Sequence, residues 1–420
     1  MALHDVVIVG AGLAGLTCAR ALQAKGADCV VLEAAEAVGG RVRTEEREGF
    51  RLDRGFQVLL TAYPTARRWL ELDKLALGEF AAGARVATPD GPGLVGDPWR
   101  EPGRLAATLR APVGSLADKL RIGALGLEAG RGGDEAAWAR ERGRSAGEFL
   151  AARGFSAELT ERFLRPWLGG IFLERELETP AAMLYFVYRM FARGRAALPA
   201  GGMQRIPEQL AAGLREGTVR TGARVISVER GAATLAGGEI VSGREVVVAT
   251  EADVATSLVP ELGAPPPWRS VTCVQWDAPE SPLRGDPILW LNGSGRGLVN
   301  NVVVPSDVAK NYAPAGRALV SATVIGASAE AEARLEAALR VELAEHFGAV
   351  TRDWRSLTVQ RVRRALPALR EPGAGRTPTR LRPGLWVCGD HRASASIEGA
   401  MASGEALAEA LAGRHAPDGM

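Results

Sequence analysis

Gly10-Ala11-Gly12-Leu-Ala14-Gly15 is the feature that most constrains this chain. It follows Asp5-Val-Val-Ile-Val9, a β-branched run that reads as a buried parallel strand. It opens residues 13–25, where apolar positions recur at helical spacing, and Cys29-Val-Val-Leu32 then reads as a second strand. Strand, glycine turn, helix and strand form one β-α-β unit of a parallel sheet. In such a unit Gly10 permits the tight turn, Gly12 lets the backbone approach a pyrophosphate, and Gly15 lets the helix pack close to the sheet. The helix start offers free N–H groups and partial positive charge to phosphates. The motif alone is weak evidence. Here Glu33 stands at the end of the second strand, about 20 residues on, where a carboxylate accepts hydrogen bonds from ribose hydroxyls.

The residues after Glu33 and Ala34 narrow the ligand further. Gly39-Gly40-Arg41 implies a second close backbone approach to the same ligand, with a guanidinium suited to a pyrophosphate. Leu52-Asp53-Arg54-Gly55-Phe56-Gln57 follows, and Gly55 allows close approach to a ring. At the other end of the chain, Cys388-Gly389-Asp390 closes a strand, and Ser396-Ile397-Glu398-Gly399-Ala400 opens a helix of small residues.

Together these motifs resemble the superfamily of flavin-containing amine oxidases, phytoene desaturases and protoporphyrinogen oxidases. The resemblance implies FAD, and it assigns Gly389 and Asp390 to the ribityl and phosphate groups. Backbone N–H groups of the helix at Ile397 and Ala400 fall to the flavin edge, and Val225 in Ala223-Arg-Val225-Ile-Ser-Val to the adenine. Negative charge on a reduced flavin is stabilised by a helix N-terminus. No Cys or His stands where that family attaches flavin covalently, so non-covalent FAD is expected.

The same resemblance bears on the substrate. Amine oxidases place an aromatic residue where this chain has Ser396, and a lysine where Ser270-Val-Thr272-Cys-Val offers Thr272. Ala395-Ser-Ile-Glu-Gly-Ala and Phe163-Leu-Arg-Pro166-Trp167-Leu-Gly-Gly170-Ile-Phe172 look more like carotene desaturases and hydroxysqualene dehydroxylases. The implied activity is hydride removal from a small hydrophobic, isoprenoid-like substrate. Amine or porphyrinogen oxidation is the alternative, and a non-redox lipid-binding protein or a flavin-dependent isomerase on the same fold stays open. The aromatic run Tyr185, Phe186, Tyr188, Met190 and Phe191 is a candidate channel wall, or plain core. His391 fits a loop filler better than a phosphate ligand. No catalytic acid or base is singled out.

Segments resembling a nucleotide domain recur at the start, middle and end, so the expected fold is α/β (α+β). A Rossmann-like FAD-binding domain (1–75, 197–255 and 355–420) is interleaved with a mixed sheet-plus-helices substrate domain (76–196 and 256–354). Ser145-Ala-Gly-Glu148 fits a capping box within a helical stretch at about 100–195. Net charge is only +2, which gives no argument for nucleic acid. Four cysteines without a Cys-x-x-Cys pair, and four histidines, give no metal site. The first residues lack a signal-peptide pattern and no run of about 18 apolar residues occurs, so a cytoplasmic protein is expected, with peripheral membrane contact open.

Overall fold

The computed structural model describes residues 3–131, 141, 143–368 and 380–415. β1 (His4–Val9), α1 (Leu13–Ala24) and β2 (Cys29–Leu32) form the expected unit, with Val6 beside Cys29 and Val9 beside Leu32 in parallel register. The strand Ile240–Val248 lies parallel on the other side of β1, Val9 facing Val248. Leu385–Val387 lies parallel beyond it, Val248 facing Val387. Val219–Arg220 borders β2, and the ribbons Val225–Glu229 and Ala232–Leu235 extend the sheet from Ile240–Val248. Buried β-branched runs in these central strands match a sheet covered on both faces. Strands from the start, middle and end of the chain therefore end side by side. The ends carry Gly10, Glu33, Ala249 and Cys388-Gly389. Ligands of such sheets bind beyond the carboxyl ends of the strands.

A second sheet runs in the order Arg355–Pro367, Trp268–Ala278, Ala318–Ile325, Val299–Val303, Leu289–Asn292, Gly83–Thr88, Gly91–Gly96. Arg355–Pro367, expected from the sequence to go with the first body, pairs along Trp268–Ala278 here. Alternation gives this sheet two unlike faces. Val274 and Trp276 pack with Leu335, Leu339 and Leu343 of the helix Glu332–Phe347. Val271 and Cys273 point the other way and pack with Phe56.

The helical region holds Leu116–Arg131, Ala146–Ala152, Arg165–Phe172 and Ala181–Arg193. The capping box forms as expected: Ser145 accepts from the Glu148 N–H while the Glu148 carboxylate takes the Ser145 N–H. No helix among the described residues is long and apolar enough to cross a membrane, and no cluster of three or more metal-ligating side chains occurs among them.

Candidate flavin site

The glycine turn has the geometry that a pyrophosphate needs. Gly10 sits at φ +105°, and a Cβ there would lie 3.0 Å from the Ala249 carbonyl oxygen. A Cβ on Gly15 would lie 2.0 Å from the Gly10 carbonyl oxygen, so helix and turn touch backbone to backbone. Gly12 differs: nothing lies within 4 Å of its Cβ position. No side chain caps α1 at Gly12 and no acid occupies its first turn. The cradle is thus open space in front of uncapped backbone N–H groups, the environment that phosphate oxygens require.

Glu33 closes the turn from the side. Its carboxylate accepts from the Ala11 N–H at 2.7 Å and the Ala35 N–H at 2.9 Å. The Ala223 N–H donates to the Glu33 carbonyl at 2.7 Å, which brings the strand beginning at Val225 to the end of β2. Ala34 is exposed beside it. Gly39 donates to the Ala11 carbonyl at 2.8 Å, and Gly12 and Gly39 form a parallel bridge. The second glycine pair therefore lies against the first, and a Cβ on Gly40 would come within 3.6 Å of Gly12 Cα.

Arg41 and Asp390 are 349 residues apart and meet at 2.6 Å. Arg41 also donates to the Ala365 carbonyl at 2.9 Å and lies over the Trp268 ring, 5.4 Å from its centroid. Burial opposes its charge, but the carboxylates of Asp390 and Glu251 more than offset this and raise its pKa. The sequence points Arg41 at a pyrophosphate; in the structure its guanidinium is spread over Asp390, a carbonyl and an indole. Gln57 donates to the Arg41 and Arg54 carbonyls at 2.9 and 3.0 Å and fixes the backbone between them. Gly55, at φ +79°, faces the second sheet: a Cβ there would stand 3.7 Å from Val271 and Val362 and 4.0 Å from the Cys273 sulfur. Its N–H donates to the Gln360 side chain at 2.9 Å. Phe56 meets Phe80 edge to face.

The terminal motif packs against the first. A Cβ on Gly404 would lie 2.1 Å from the Ala14 carbonyl oxygen, so the helix Ile397–His415 rides directly on α1. Ser396 caps this helix by accepting the Gly399 N–H at 2.9 Å. Its hydroxyl does at this position what an aromatic ring cannot. Ile397 and Ala400 lie in the first turn against the core. Glu398 turns away and accepts from the Thr65 N–H at 2.9 Å and the Ala66 N–H at 3.3 Å, at the start of the short helix Pro64–Trp69. Burial raises its pKa, against those N–H groups. Both ring nitrogens of His391 are buried without a hydrogen-bond partner, and burial pushes its pKa down to about 4. Its ring lies against the φ +150° backbone of Gly389.

One expectation for the substrate side changes. Thr272 does not face the flavin site: its hydroxyl donates to the Gly326 carbonyl at 2.8 Å and accepts the Ser328 N–H at 3.0 Å. Its neighbour Cys273 is the one beside Gly55. Tyr185, Phe186, Tyr188 and Met190 are buried and Phe191 is half-buried, as the plain-core reading of this run has it. Tyr185 donates to the Glu128 carbonyl, Phe186 stacks on Tyr63, and Tyr188 and Phe191 pack on Trp167. From the same helix it is Met183 that reaches a small, partly open cleft, with Phe172, Pro180, Leu366, Pro367 and Ala393. Arg269 also lines it, but donates to the Phe172 carbonyl and the Thr179 hydroxyl and pairs with Glu174 at 3.2 Å. The cleft adjoins Ser394 and Ala395 of the terminal loop.

Strand ends gathered at an open glycine cradle define a dinucleotide-binding protein, and the comparisons with known proteins say of which kind. Residues 13–412 match the model of the family described as flavin containing amine oxidoreductase, so the chain belongs to that family. FAD is the cofactor that membership implies. A putrescine oxidase triple mutant superposes with a TM-score of 0.74 at 18% identity, over 98% of this chain and 99% of that one. The chain is 43% identical over 76 residues to an L-amino-acid oxidase of Crotalus adamanteus, 18% of this chain and 15% of that protein. It is 30% identical over 253 residues to polyamine oxidase 1 of Oryza sativa subsp. japonica, 52% of this chain and 46% of that protein. The matches thus span less than half the length of these two relatives.

Glu33→Ala is expected to weaken FAD binding by roughly 1.5–3 kcal/mol, the scale of hydrogen bonds to a charged group. The variant also frees the Ala11 and Ala35 N–H groups, so the apoprotein should melt at a lower temperature. Titration of apoprotein with FAD checks the first effect, and an unchanged affinity would remove Glu33 from the ribose site.

Proposed function

We propose that the protein is an FAD-dependent oxidoreductase that takes a hydride from a small hydrophobic, isoprenoid-like molecule. The observation that carries this reading is the character of the cleft beside the terminal motif. Phe172, Pro180, Met183, Leu366, Pro367 and Ala393 give it apolar walls. The charge of Arg269 is already satisfied by Glu174 and two oxygens. Bound FAD supplies the two-electron acceptor. The chain's own task is then to bind an apolar molecule, exclude water and hold one C–H bond in line, which is positioning. The substrate gives a hydride to the flavin and a proton from the neighbouring carbon to solvent at the open side of the cleft, and a carbon–carbon double bond forms between the two.

The likeness of Ala395–Ala400 and Phe163–Phe172 to desaturase segments supports the same substrate class. So does Ser396, whose hydroxyl is committed to the helix cap where an amine cage would need a ring. The names of the relatives favour a second reading, oxidation of an amine. Anaerobic visible absorption of the purified protein separates the two. Bleaching of bound flavin by isoprenoid hydrocarbons, and not by a panel of amines including putrescine, is the expected result. Bleaching by amines alone would overturn the proposal in favour of the oxidase, and a protein without flavin would overturn both.

A further inference from the structure

We propose that the outward face of the helix Leu116–Arg131, continued by Trp99 and the helix Leu105–Arg110, docks this protein on an anionic lipid surface. Half of the strongly exposed large apolar side chains among the described residues fall between Trp99 and Leu127: Trp99, Leu105, Leu109, Leu116, Leu120 and Leu127. Single exposed leucines are ordinary on a protein surface, but a contiguous set is not. Trp99 is 74% exposed, Leu120 66% and Leu116 59%.

Their spacing makes the set a face. At about 100° per residue, Asp118, Ile122, Leu125 and Ala129 form one stripe of the long helix. That stripe is turned inward, with Asp118, Leu125 and Ala129 buried. Leu116, Leu120, Gly123 and Leu127 form the stripe diametrically opposite. A helix apolar on both sides has one side facing its own protein and the other facing something else. The two helices meet at a fixed corner, because the Lys119 ammonium donates to the Leu109 and Ala111 carbonyls at 2.8 and 2.9 Å. Leu105 and Leu109, one turn apart, extend the apolar surface past that corner.

The charges select lipid as the occupant. Arg131 borders the outer stripe and Arg110 ends the neighbouring helix, both exposed. The acidic groups of this segment are drawn away from that face. Asp118 is buried and accepts from Ser115 and Ser156. Glu128 is paired with Arg153, and Glu101 with Arg104. Leucines, an amphipathic tryptophan and flanking cations are the composition of a helix lying in the headgroup layer of an anionic bilayer. The inner side of the same helix takes the Tyr185 hydroxyl on the Glu128 carbonyl at 3.0 Å and Arg193 Nε on the Gly130 carbonyl at 2.8 Å. Both come from Ala181–Arg193, the helix whose Met183 lines the cleft. The bilayer therefore lies one helix away from the cleft wall. Supply of an apolar substrate from the membrane rests on the function proposed above; docking itself does not.

The test is flotation of the full-length flavoprotein with phosphatidylcholine vesicles and with vesicles that also contain phosphatidylglycerol. Binding to the phosphatidylglycerol vesicles, weakened by added salt, is expected. The triple variant Leu116→Ser, Leu120→Ser, Leu127→Ser should lose at least about tenfold in vesicle affinity, since each buried methylene contributes. It should keep its flavin and its melting temperature, because all three side chains are exposed. Arg110→Gln with Arg131→Gln should lower binding to phosphatidylglycerol vesicles and leave the fold intact. A wild-type protein that stays unbound at low salt, or a triple variant that floats equally well, would overturn the proposal. So would a wild-type dimer that the triple variant converts to monomer, since the face would then belong to a second copy. None of these results depends on flavin bleaching, so docking and hydride transfer fail separately.

Discussion

Gly12→Val is expected to yield a folded protein that carries no flavin. Gly12 has φ −74° and ψ 178°, a conformation that valine adopts readily, and its Cβ position has no protein atom within 4 Å. The chain therefore loses nothing on its own account. What it loses is the space where a pyrophosphate would approach the start of α1, and a branched side chain fills that space. The expected weakening exceeds about 4 kcal/mol, roughly a thousandfold in dissociation constant. Gly15→Val, three residues on, makes the contrast. Its Cβ would lie 2.0 Å from the Gly10 carbonyl oxygen, so the turn itself cannot close and the protein should fail to fold. Circular dichroism and a thermal melt report on the fold, and visible absorption on the flavin. A yellow Gly12→Val protein would place the cofactor elsewhere.

That contrast also shows which parts of the molecule were legible from residues alone. The β1-α1-β2 unit was, because its requirements are local: a turn at Gly10, a close contact at Gly15, a carboxylate at the end of β2. The terminal Gly389-Asp390 was legible as a motif but not as a partner. Nothing near position 390 says that Arg41 closes on it. Thr272 shows a different failure. Side chains alternate along a strand, so an alignment wrong by one residue turns a site residue into one that pins a turn. Cys273 faces Gly55 instead. The aromatic cluster at 185–191 was visible as an apolar helix, but Ala181–Met190 is buried without interruption. Periodicity is then silent about which side meets a cavity. The pairing of Arg355–Pro367 with Trp268–Ala278 joins segments about 90 residues apart, beyond the reach of local pattern.

Asp53 was the least legible of all, and it carries the second large effect. In sequence it is one acid before Gly55; in the structure it is a buried junction of three distant segments. It accepts from the Thr44 hydroxyl at 2.5 Å, the Met203 N–H at 3.0 Å and the Tyr312 hydroxyl at 2.6 Å. Asp53→Leu leaves all three donors unpaired in the interior. At about 1–3 kcal/mol for each, a destabilisation of about 3–9 kcal/mol is expected, and a fall in melting temperature of about 3–10 °C. Asp53→Asn should cost far less, since its carbonyl still serves Thr44 and Met203 while its amide can donate to Tyr312. The pH dependence separates these effects. Burial holds the Asp53 carboxyl at about 6, against an ordinary 3.8, with the three donors pulling the other way. The folded protein thus grips this proton more tightly than the unfolded chain does. Its contribution to stability is greatest below the unfolded pKa and falls as pH rises from about 4 to about 6, by about 3 kcal/mol in all. Above that the contribution is level. The asparagine variant has no proton to lose at this position. Its stability relative to wild type should therefore rise across the same interval and stay flat beyond it. Thermal melts of both proteins from pH 4 to 8 measure the difference. Parallel curves would mean that Asp53 keeps an ordinary pKa, and that the junction is held by its hydrogen bonds without a proton of its own.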